Sequence, residues 1–175
     1  MIESLIEILK FISNDLIIGF GIYAVLNFSI RLITRKKRLN AAFDNAAIDV
    51  AFILGLLTGL TWLILTFTNT DFRLTFLIQP LIWIGLSLML GLNKFKSNLI
   101  VRLLFSLSFV LTFERLVILI TYFHRDYLPN TWSTNDLLDE SLRTTLIVLG
   151  LALKLILFTT LSALYFLFKK KLNNN

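Results

Sequence analysis

The chain has 175 residues, 57% of them hydrophobic and 16% charged, with a formal charge of +6 and a mean hydropathy of +0.80. A soluble domain is about 45–50% apolar, so this composition points to a single membrane-embedded domain and leaves no room for a separate soluble catalytic domain. There is no cysteine, which excludes disulfides, thiolate metal sites and cysteine nucleophiles.

The first residues, 1–13, alternate as an amphipathic helix. Ile2, Leu5, Ile6, Leu9 and Ile12 form one face, with Glu3, Glu7 and Lys10 on the other. They predict either a short helix on the membrane surface or an outward extension of the first span. The acidic balance of this segment, with Glu3, Glu7 and Asp15 against Lys10, does not fit a cleavable signal peptide.

A bilayer span needs roughly 20 mostly apolar residues. Five segments meet that requirement, at 15–34, 46–67, 72–92, 99–123 and 142–168. The expected fold is therefore all-α, a polytopic bundle of five transmembrane helices with a short amphipathic N-terminal helix. Basic residues follow the first span (Arg31, Arg35, Lys36, Lys37, Arg38), separate the third and fourth (Lys94, Lys96) and follow the fifth (Lys169, Lys170, Lys171). An odd number of spans puts all three groups on one side. The opposite side receives the acidic N-terminus and the loop with Asp126, Asp136, Asp139 and Glu140. Because positive residues remain cytoplasmic, the N-terminus is expected outside and the C-terminus inside a bacterial cytoplasmic membrane.

Charges within the spans are the main candidates for function, since a charge at the bilayer centre costs roughly 3 kcal/mol on insertion scales. Glu114 lies about 4–5 Å outside the centre of the fourth span, and Lys154 within about 2 Å of the centre of the fifth. These spans are neighbours in sequence, which predicts a Glu114–Lys154 salt bridge. Arg115 adds a second cation, on a stripe with Ser108 and Thr112. Asp49 and Arg102 stand at similar depth near the cytoplasmic side and are expected to pair. Gln79-Pro80 falls near the middle of the third span and predicts a kink that could line a path. Gly55 and Gly59 form a GxxxG pattern, Ser87 and Gly91 a related one, and Gly19 and Gly21 lie in the first span. All three permit close helix crossings.

The basic stretch Arg31–Arg38 sets topology and is suited to anionic lipid or an acidic partner. Without interleaved aromatic residues it does not resemble a nucleic-acid site. A single histidine, His124, cannot build a His-rich metal site, and no Walker, Rossmann, G-x-S-x-G or H-E-x-x-H signature occurs. Neither cofactor nor metal is expected.

These features favour a non-catalytic channel, pore or membrane effector built as a homo-oligomer. The alternative is an accessory or scaffold subunit of a membrane complex, recruiting a partner through its basic loop. An intramembrane enzyme acting on lipid through Glu114 ranks third, because a carboxylate beside two cations suits a counter-ion better than a general acid.

Overall fold

The computed structural model describes residues 2–34, 41–68, 74–112 and 140–173. Glu114, Arg115, His124, the loop cations Arg35, Lys36, Lys37 and Arg38, and the acidic loop at 125–139 lie outside the described residues. Those described are almost entirely helical, with no strand among them. Helix α1 is Ile2–Phe11, followed by a π-helical turn at Ile12–Ile17 and by α2 at Ile18–Thr34. Then come α3 (Ala41–Thr68), a 3-10 turn (Leu74–Leu77), α4 (Ile78–Gly91), α5 (Leu99–Val110) and α6 (Glu140–Asn173).

Three helical stretches are long and apolar enough to cross a membrane: Ile6–Thr34, Ala41–Thr68 and Thr144–Leu172. At 1.5 Å per residue the 28 residues of α3 extend for about 42 Å, against a hydrocarbon core of about 30 Å. α4 and α5, of 14 and 12 residues, extend for about 21 and 18 Å. Such an apolar exterior fits a protein whose solvent is lipid: Leu146, Ile147, Val148 and Leu149 of α6 are all more than half exposed. In water, a contiguous patch of this kind would drive association.

Local sequence explains where the helices begin and end. Asn98 caps α5, its side chain accepting from the Ile100 N–H at 2.9 Å, and so satisfies one of the orphan donors of the first turn. Asp44 stands in the first turn of α3, and Lys170 and Lys171 in the last turn of α6, each complementing the helix dipole. Thr58, Thr61, Thr66 and Thr160 turn their hydroxyls back onto carbonyls four residues earlier, which lets them sit in apolar helices with their hydrogen bonds made.

Contacts between the helices fix their relative directions. Gly55 meets Ser87, Gly59 meets Ile84, and Gly91 meets Phe52, so α3 and α4 run antiparallel. α2 opposes α5, with Phe20 on Phe105 and Arg31 near Ser97 and Leu99. Asp15, Gly19 and Tyr23 meet Lys154 and Phe158 in rising order, so the first helix and α6 run parallel. Direction thus alternates from α2 through α3, α4 and α5 to α6. The core between them is aromatic: Phe20, Phe105, Phe109 and Phe158 are fully buried or nearly so, and Trp83 stacks on Phe109 at 4.6 Å.

Of the two readings of residues 1–13, the structure has the extension of the first span: α1, the π turn and α2 follow one another without a break, and the apolar stretch begins at Ile6. Ser13, Asn14 and Asp15 are accommodated by widening the helix to a π turn, with the Ser13 hydroxyl donating to the Lys10 carbonyl at 3.1 Å. Gln79-Pro80 does not kink the middle of a helix. Pro80 is the third residue of α4, where the N–H it lacks has no intrahelical acceptor to lose.

In the fourth segment, expected as a span at 99–123, α5 ends at Val110, where Leu111 adopts φ −90° and ψ 72°, and residues 113–123 lie outside the described residues. Ser108 and Thr112 therefore do not form a helical stripe. The Ser108 hydroxyl donates to the Phe105 carbonyl at 2.7 Å. Its own carbonyl accepts from Gln79 Nε2 at 3.0 Å and from Trp83 Nε1 at 2.8 Å. Gln79 thus closes the end of α5. Replacing Gln79 with leucine should lower stability by about 1 kcal/mol, Trp83 still serving the carbonyl. Trp83→Phe should cost a similar amount, and the double variant more than the sum if the two donors substitute for each other. Detergent-solubilised unfolding midpoints check this.

Candidate functional site: paired charges inside the bundle

Two groups of ionised side chains lie within the helical bundle. The larger sits where α2 ends, α3 begins, α4 passes into α5, and α6 ends. Its centre is Asp44, only 4% exposed. Arg102 grips both carboxylate oxygens, Nη1 on Oδ1 and Nη2 on Oδ2, each at 2.9 Å. That parallel fork is the strongest geometry available to an arginine–carboxylate pair.

Three residues of α2 complete the set. Tyr23, Asn27 and Arg31 recur every four residues and so share a helix face. Asn27 Nδ2 donates to Oδ1 at 2.7 Å, Arg31 Nη2 to Oδ2 at 2.8 Å, and the Tyr23 hydroxyl to Oδ1 at a longer 3.2 Å. Five hydrogen bonds therefore converge on one carboxylate. Arg102 is itself fixed by a third bond, Nε donating to the Lys96 carbonyl at 2.7 Å. With every acceptor position taken, Asp44 is a structural hub joining α2, α3 and α5.

Asp49, one turn and a half further along α3, faces a different pair. It receives Lys96 at 3.0 Å and Lys169 at 2.9 Å, tying α3 to the α4–α5 turn and to the end of α6. The expected Asp49–Arg102 pair is thus not formed. Asp44 and Asp49 are five residues apart, about 140° around the helix, and only Asp44 shares the face that meets α5. Each carboxylate is met by two cations, which leaves this group of six side chains with an excess of two positive charges.

The second group lies on the opposite stretch of the first helix. Lys154 Nζ is 3.1 Å from Asp15 Oδ1, with side chains 25% and 31% exposed. Lys154, singled out by its depth in an apolar helix, is an ion-paired residue of α6, and the partner described is Asp15 of the π turn. The Glu114 side of the expected bridge lies outside the described residues, as does Arg115. The approach that brings Asp15 to Lys154 depends on Gly19. A Cβ there would strike the Lys154 carbonyl and come within 2.8 Å of Phe158 Cβ. Gly55 and Gly59 act similarly between α3 and α4, packing on Ser87, Phe105 and Ile84.

Sequence reasoning missed Asp44, Asn27 and Tyr23. A signal for them was present: Tyr23-Asn27-Arg31 is a polar stripe at four-residue spacing through an otherwise apolar helix. Asp44 attracted no notice because it precedes the apolar run and resembles an ordinary helix-start acid. Among the described residues no cluster of three His, Asp or Glu side chains could hold a metal ion. No family model, curated protein or solved structure matches this chain.

Proposed function

We propose that this chain is a non-catalytic membrane protein with five spans, N-terminus outside and C-terminus cytoplasmic, that assembles with copies of itself to form a polar path for ions. Support for five spans comes from the alternating direction of the helices and from basic residues at one end of the bundle. The single observation that carries the path is the Asp15–Lys154 pair. Two charged side chains, each about a quarter or more exposed, stand well inside long apolar helices. Charges at that depth face a polar cavity or another protein surface rather than hydrocarbon. Neighbouring copies would supply that surface.

Native mass spectrometry of the solubilised particle, followed by conductance in liposomes, tests this reading. A discrete oligomer with measurable conductance is expected, and Lys154→Met should change that conductance or its ion preference. A monomer with no conductance refutes it.

A second reading, an accessory subunit recruiting an acidic partner, is favoured by the two uncompensated positive charges around Asp44 and Asp49. There, neutralising Lys36, Lys37 and Arg38 should abolish partner capture and leave any conductance as it was, once topology has been verified.

A further inference from the structure

We propose that a notch between α2 and the start of α5 binds the phosphate group of an anionic phospholipid. Ala24, Phe28, Arg31, Ser97, Leu99 and Arg102 line it. The enclosed part measures about 10 Å³ and opens to the outside, room for a phosphate oxygen with the rest of the headgroup at the mouth. The lining has the two-part character that a lipid demands. Phe28, 41% exposed, Ala24 and Leu99 form apolar walls, while Arg31, Arg102 and Ser97 supply N–H and O–H donors.

Arg31 distinguishes this notch from a packing defect. Arg102 commits Nε, Nη1 and Nη2 to acceptors. By contrast, among the described residues Arg31 has one hydrogen bond, from Nη2 to Asp44, and its buried Nε has no partner there. A guanidinium carries five N–H donors, and a buried one left unmatched is costly. Local charge favours an anion as the missing acceptor. Asp44 answers two arginines, and Asp49 answers two lysines next to them, so both carboxylates are already shared. A phosphodiester would meet the surplus charge, and a bidentate arginine–phosphate geometry is available to it. The notch lies at the end of the bundle, where helices terminate, which is the depth of headgroups in a leaflet. This inference concerns one chain and one lipid and goes beyond the pore reading.

The test is native mass spectrometry of the full-length protein in detergent, titrated with phosphatidylglycerol, with phosphatidylcholine, or with inorganic phosphate. One phosphatidylglycerol per chain should be retained in preference to phosphatidylcholine. Ser97→Leu fills the mouth without touching Asp44, and Arg31→Lys keeps the ion pair but removes Nε. Each should weaken retention about tenfold, as the loss of one charge-assisted hydrogen bond predicts. Unfolding midpoints identify any variant that misfolds, in which case the other decides. Equal retention of the two lipids, no retained lipid, or unchanged retention in both variants overturns the proposal. Binding of inorganic phosphate that displaces phosphatidylglycerol overturns it as well, by assigning the notch to a free anion.

Discussion

Replacing Asp44 with alanine is expected to be the most damaging single change to this protein, at about 3–5 kcal/mol of stability. The figure follows from what the substitution strands. Arg102 is 3% exposed and would lose both forked hydrogen bonds at once, becoming a buried charge with only the Lys96 carbonyl as acceptor. Asn27, also buried, would lose its shorter hydrogen bond, at 2.7 Å, and keep only the 3.4 Å one to the Tyr23 hydroxyl. Thermal unfolding in detergent should show a large fall in midpoint for Asp44→Ala. Asp44→Leu combined with Arg102→Met should recover much of the loss, because removing both charges leaves neither unpaired. Asp49→Ala provides the contrast. Its partners Lys96 and Lys169 are 23% and 51% exposed and can reach water or headgroups, so a loss within about 1 kcal/mol is expected. Equal losses for Asp44→Ala and Asp49→Ala would show that Asp44 is not the hub.

The second large effect is expected at Gly19. A valine there would place its Cβ against the main-chain carbonyl of Lys154 and 2.8 Å from Phe158 Cβ. A carbonyl within a helix cannot rotate aside as the end of a side chain can, so the two helices must separate. Overpacking of this kind costs about 1–3 kcal/mol. Separation also draws Asp15 away from Lys154, so Gly19→Val should reproduce the conductance phenotype of Lys154→Met although it alters no charge. Gly85→Ala, at a position with open space around it, should be neutral or slightly stabilising. A Gly19→Val variant as stable as the parent would remove the close crossing from the account.

The cost of a charge deep in an apolar helix singles out Lys154 from the sequence, a one-body argument that needs no knowledge of neighbours. Its described partner is not legible in that way. Helix packing brings Asp15 of the first helix to Lys154 at 3.1 Å, an approach that sequence adjacency does not reveal, while the Glu114 that adjacency points to lies outside the described residues. Arg102 was likewise recognised as a charge requiring a partner, and depth alone proposed Asp49. Depth fixes position along a helix but not rotation around it, and rotation assigns Arg102 to Asp44. Gly55 and Gly59 were legible as small residues at crossing-compatible spacing, but their neighbours were not. The role of Gln79 depends on a hydrogen bond to Ser108, 29 residues away, and the π turn at Ile12–Ile17 and the end of α5 at Val110 on local backbone geometry; apolar periodicity encodes none of these.

Composition and hydropathy therefore determined that the chain is a helical membrane protein, because the requirement to satisfy backbone hydrogen bonds in lipid allows a long apolar segment little else. They also determined which residues carry an electrostatic cost. Tertiary structure alone decided how that cost is met, since pairing depends on helix order, rotation and closeness of approach, and these arise only when the helices pack together around Phe20, Phe105 and Phe158.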